Sequence, residues 1–99
     1  MITEGNEKNF NELIKEGTVI VDFYAEWCGP CKMLGPVLKD LVSTNSSIKV
    51  VKIDVDSNSN LAAKFGVMSI PTLLLYKNNN LINKKMGFMT KEMLLEWIN

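Results

Sequence analysis

Apolar positions along the chain alternate between helical spacing and near-continuous runs. Between Asn6 and Glu16, Phe10, Leu13 and Ile14 share one helical face, and Gly17 supplies a stop. Thr18 to Tyr24 is β-branched and aromatic, as expected of a strand covered on both faces. From Cys31 to about Ser43 the period is helical again, through Leu34, Leu38, Leu41 and Val42. Pro36 falls inside that run and predicts a bend, because it lacks a donor and crowds the carbonyl four residues back.

Ile48 to Val55 reads as a second strand. Ser57-Asn58-Ser59-Asn60 offers caps for a short helix with Leu61, Ala62 and Phe65, ended by Gly66. After Ile70-Pro71, Thr72 to Tyr76 is a third buried strand. Asn78-Asn79-Asn80 suits a turn, and Leu81 to Met86 is its antiparallel return. Thr90 caps a last helix that turns Met93, Leu94, Trp97 and Ile98 inward. The order βαβ, helix, hairpin, helix predicts an α/β fold: a central mixed β-sheet of four to five strands, with about four helices on both faces. No repeat, linker or low-complexity stretch divides the chain, which predicts one domain over residues 1–99.

Composition narrows the function classes. The chain has 46% hydrophobic and 22% charged residues, ordinary for a globular domain. Eleven basic and eleven acidic residues give no net charge, which argues against nucleic-acid binding and against a polybasic membrane anchor. The polar, acidic start Met1-Ile2-Thr3-Glu4 does not read as a signal peptide, and no apolar run approaches the roughly 20 residues needed to span a bilayer. The expectation is a cytoplasmic protein. Histidine is absent, so proton transfer near neutral pH falls to a carboxylate, a lysine or a thiol with a shifted pKa.

The two cysteines stand in Trp27-Cys28-Gly29-Pro30-Cys31-Lys32, after a strand and at the start of a helix. Two intervening residues let the sulfurs meet with little backbone motion. A helix N-terminus carries unpaired N–H groups and partial positive charge, so a thiolate at Cys28 is stabilised there. Cys31, deeper in the helix, is placed to resolve a mixed disulfide. A purely structural pair is the alternative. A zinc half-site is another, but the chain offers no further Cys and no His to complete it.

Val21-Asp22-Phe23-Tyr24-Ala25-Glu26-Trp27-Cys28-Gly29-Pro30-Cys31-Lys32 resembles the active-site signature of the thioredoxin family. Met68-Ser69-Ile70-Pro71-Thr72 resembles the loop that this family places opposite its cysteines, and Gly87 falls where the family has a groove glycine. The resemblance runs from about Phe10 to Ile98. It implies a thioredoxin-like fold and a general protein-disulfide reductase. It also implies a thioredoxin reductase as electron donor, disulfide-containing proteins as clients, and a monomer. The Cys28–Cys31 dithiol is itself the redox group, so no bound cofactor is needed. A thiol oxidant or isomerase, and a non-catalytic scaffold subunit, are the competing functions.

Asp22 matches the family's buried aspartate, which exchanges a proton with the resolving cysteine, directly or through water. Burial in a strand predicts a raised pKa, whereas an edge-strand Asp would face water. Lys52 resembles the lysine that partners this aspartate; a strand lysine is otherwise a surface group. The resemblance implies a cis bond at Ile70–Pro71 that turns Ile70 toward the cysteines, so that substrate adds partly as a strand. Trp27, Gly29, Pro30, Met68, Ile70, Pro71, Gly87 and Phe88 are then the substrate rim. Met86, Met89 and Met93 read as core or groove edge, and Glu26 and Lys32 as solvated charges. The uncharged Gly29-Pro30 pair leaves the dithiol without the extra stabilisation an intervening histidine brings, which points toward a reductant. Tyr24, where many members of the family have tryptophan, is a departure, as are Ser69 and Asn78-Asn79-Asn80.

Overall fold

β2, Thr18–Tyr24, is the axis of the molecule: all but its two end residues are buried. The computed structural model describes all residues from Met1 to Asn99. Around β2 the chain places β1 (Ile2–Glu4), α1 (Phe10–Leu13), α2 (Gly29–Thr44) and β3 (Ile48–Asp54). There follow α3 (Ser59–Lys64), β4 (Thr72–Lys77), β5 (Asn80–Met86) and α4 (Lys91–Ile98). The sheet order is β1-β3-β2-β4-β5. The first three strands are mutually parallel; β4 runs antiparallel to β2, and β5 returns antiparallel to β4.

Strand alternation divides the apolar residues between two cores. Val19, Val21 and Phe23 join Phe10, Ile14, Leu61 and Ala62 on the α1/α3 side. Ile20 joins Leu34, Leu38, Leu41, Leu94 and Ile98 on the α2/α4 side. Each fully buried Leu of these layers contributes roughly 1.5–3 kcal/mol through removal from water. Helices therefore cover both faces, as the element order predicts.

Three elements differ from expectation. β1 escapes the hydrophobic pattern because three residues are too few to show a period, yet Ile2, Thr3 and Glu4 pair with Val50, Val51 and Lys52. The first helix covers only Phe10–Leu13 rather than Asn6 to Glu16. The Asn6 carboxamide oxygen accepts from the backbone N–H groups of Lys8 and Asn9, a local turn that competes with helical bonding. In α4, Leu94 and Ile98 are buried and Trp97 half-buried, but Met93 is 45% exposed rather than inward. A helix of only eight residues has a narrow inward stripe, and Met93 lies at its edge.

Other local expectations are met in part: Asn58 is the N-cap of α3, but its side chain makes no cap bond and instead engages the Glu7 N–H and the Asp54 carbonyl. α2 runs through Pro36, which lies on its exposed side, where water can reach the carbonyl left without a donor. Asn78 and Asn79 both take positive φ, 51° and 72°, the geometry of a tight hairpin turn. The Thr90 hydroxyl accepts from the Met93 N–H and caps α4.

Candidate active site

The parallel strands β2 and β3 end at the same edge of the sheet, and the chain leaving β2 turns directly into α2. Cys28 is the N-cap of α2 and Pro30 stands in its first turn, where a missing N–H costs nothing. Helix geometry then brings Cys31 back beside Cys28, with Cα atoms 5.3 Å apart and the sulfurs joined in a disulfide. The Cys31 N–H points at the Cys28 sulfur at 3.2 Å. When the disulfide opens, that donor and the positive end of α2 favour negative charge on Cys28. Both cysteines are buried as residues, at 5% and 4% exposure, so an incoming partner must approach over their surroundings.

Ile70–Pro71 is a cis peptide, and the Ile70 carbonyl oxygen lies 3.8 Å from the Cys28 sulfur. In the oxidised pair that sulfur carries no hydrogen, so this is a contact; a Cys28 thiol would donate to the same oxygen. The loop is tied at both ends. The Thr72 hydroxyl donates to the Ser69 carbonyl at 2.6 Å, and the Gly87 N–H donates to the Pro71 carbonyl at 2.8 Å. Gly87 has φ of 93°, a conformation that favours glycine. Cys28, Ile70, Pro71 and Gly87 are thus linked by contacts, with Pro71 itself buried rather than on the rim.

The other rim residues flank this group along the chain. Trp27, Met68 and Phe88 are 70%, 94% and 38% exposed, which is unusual for large apolar side chains, and Gly29 and Pro30 are open to solvent. The Trp27 indole N–H donates to the Asp56 carboxylate at 2.8 Å, holding the ring across the loop after β3. Asp56 carries no motif, and sequence reasoning did not find it.

Asp22 lies in the central strand and not at an edge; the sheet excludes it from water entirely. Neither carboxylate oxygen has a hydrogen-bond partner. Burial pushes its pKa from 3.8 up to about 7, against the opposing pull of Lys52 and with a further push from Glu4. Lys52 is its direct neighbour on β3, yet makes no ion pair; its ammonium sits 4.4 Å from the centre of the Tyr24 ring. Tyr24, Ala25, Glu26, Cys31, Lys32 and Lys52 line an open cleft of about 300 Å³ that gives solvent a path to Cys31. The same cleft is lined by Lys52, the register partner of Asp22 on β3. No three Cys, Asp or Glu side chains converge as a metal site.

The family model for thioredoxin matches residues 1–99. The chain is 46% identical over 99 residues to a thioredoxin of Bacillus subtilis, covering 99% of this chain and 95% of that protein. It is 42% identical to one from Chlamydia caviae, covering 100% and 97%. Its fold superposes with a TM-score of 0.89 on the oxidised mitochondrial thioredoxin 3 of Saccharomyces cerevisiae, at 38% identity, covering 98% of this chain and 92% of that one. With its redox pair at the head of α2 and a match along its whole length, the chain belongs to the thioredoxin family and is a thiol–disulfide oxidoreductase of the protein-disulfide reductase type.

Proposed function

We propose that this chain is a general reductant of protein disulfides, recharged by a thioredoxin reductase. The observation that carries the reading is Cys28 at the N-cap of α2, under the Cys31 N–H and beside the Ile70 carbonyl. The Cys28 thiolate attacks a substrate disulfide, forming a mixed disulfide and expelling one substrate thiolate. Cys31 then loses its proton to Asp22, directly or through water, and attacks the Cys28 sulfur. The second substrate thiolate leaves and the Cys28–Cys31 disulfide forms, so two electrons pass to the substrate.

Lys52 moderates the charge that Asp22 acquires. Trp27, Gly29, Pro30, Met68, Ile70, Pro71, Gly87 and Phe88 receive an extended client segment around the sulfur. The uncharged Gly29-Pro30 pair supports the reducing direction. Work as a single-domain monomer in the cytoplasm fits a carrier that must meet both a reductase and many clients. No helix is long and apolar enough to cross a membrane.

Cys31→Ser is expected to accumulate a mixed disulfide through Cys28 with a disulfide-bonded client such as insulin, read by mass spectrometry. No accumulation in Cys31→Ser, or accumulation through Cys31 in Cys28→Ser instead, overturns the assignment of attacking and resolving thiols. A reduction potential above that of the glutathione pool would replace the reductant with an oxidant or isomerase.

A further inference from the structure

The strand pairing sets Glu4, Lys52 and Asp22 side by side across β1, β3 and β2, a carboxylate–ammonium–carboxylate row. Parallel neighbours in register point to the same face, so Lys52 stands between two acids that compete for it. Neither pairs with it within 4 Å. Glu4 is instead engaged by the Tyr24 hydroxyl, which donates to its Oε2 at 2.8 Å, while the face of the Tyr24 ring supports the Lys52 ammonium. Tyr24 thus touches both ends of the competition.

We propose that Tyr24 is a positioning residue for the resolving step: its hydroxyl occupies Glu4, and its ring holds the Lys52 ammonium where Asp22, rather than Glu4, has use of it. The inference rests on the reading of Asp22 as the group that takes the Cys31 proton. Burial, and then the bond to Glu4, raise the Tyr24 pKa, so the phenol remains a donor throughout the neutral range. The groups facing Asp22 complete the picture. Lys52 comes from β3 and Glu4 from β1; β4 presents only Leu73 opposite. Cys31 and Lys32 of α2, with Glu26, line the adjoining cleft, and Asp54 lies beyond, paired in register with Tyr24.

The arrangement makes two single variants act in opposite directions. Tyr24→Phe keeps the ring but frees Glu4 to draw Lys52 away, so Asp22 becomes harder to ionise. Glu4→Gln removes the competing charge, so Asp22 becomes easier to ionise. Across two strand spacings, roughly 10 Å, a unit charge is worth about half a pH unit at an effective dielectric between those of water and the protein surface.

The test follows the Asp22 carboxyl carbon by NMR as pH is varied, in oxidised protein, where neither cysteine titrates. Its midpoint is expected to rise by about half a pH unit in Tyr24→Phe and to fall by about the same in Glu4→Gln. The double variant is expected to titrate like Glu4→Gln alone, since no acid remains to claim Lys52. A Tyr24→Phe rise that persists in the Glu4→Gln background, or midpoints that stay put in both single variants, overturns the proposal. Loss of stability alone cannot produce opposite shifts. Separately, the pH profile of client reduction by Asp22→Asn tests the proton-transfer reading: an unchanged profile refutes that reading whatever the NMR midpoints do.

Discussion

Replacing Asp22 by Asn removes the only titratable side chain that is fully buried without a hydrogen-bond partner. In wild type, the unfolded carboxyl ionises near 3.8 and the folded one near 7. Below the lower value both states hold the proton and the group has no effect. As pH rises the unfolded state ionises first, so folding stability falls through this window and levels off once the folded group has ionised as well. At 1.36 kcal/mol per pH unit the loss amounts to about 4 kcal/mol. Asn cannot titrate, and the cost of its buried amide, about 1–3 kcal/mol, is the same at every pH.

The quantity to measure is therefore the difference between wild type and variant as a function of pH, not either stability alone. Urea unfolding of both oxidised proteins at intervals between pH 4 and 8.5 supplies it. The variant's midpoint is expected to gain on wild type by roughly 2 M urea across the range, for an m-value near 2 kcal/mol/M. Curves that run parallel would refute the argument that burial dominates at Asp22, and would place water or an unrecognised donor beside its oxygens.

Leu38→Ala, in the middle of the α2/α4 core, is expected to cost about 2–5 kcal/mol in urea unfolding while the Cys28 mixed disulfide still forms. Gly87→Ala meets no atom within 4 Å, so its cost is that of an alanine held at φ of 93°, about 1–2 kcal/mol, measurable as a lowered thermal midpoint. Phe88→Ala is expected to raise KM for a protein disulfide several-fold while leaving the rate with a small aromatic disulfide nearly unchanged; equal losses on both would remove Phe88 from the client surface.

Much of this site is visible in the order of residues because it depends on local geometry. Cys28, Gly29, Pro30 and Cys31 lie within a single helical turn, so the N-cap, the proline in the first turn and the return of Cys31 to Cys28 follow from spacing. The hairpin is local in the same sense, with two Asn residues able to take positive φ. The buried strands announced themselves by continuous apolar runs.

What escaped is long-range. β1 has no pattern of its own, and only pairing with Val50–Lys52 makes it a strand. The hydrogen bond from Trp27 to Asp56 spans 29 residues and that from Tyr24 to Glu4 spans 20, and neither partner is marked by its neighbours in the chain.

The place of the redox chemistry, its helical setting and the alternation of elements could all be read from residue order, because each rests on contacts between residues a few positions apart. The burial of Asp22 and its pairing with Lys52 were implied by the family resemblance; that Glu4 stands on the far side of Lys52, and that neither Asp22 oxygen finds a hydrogen-bond partner, came only from the folded chain. Those facts depend on which strands become neighbours. Strand order and register arise from packing both sheet faces at once, which no local stretch of residues encodes.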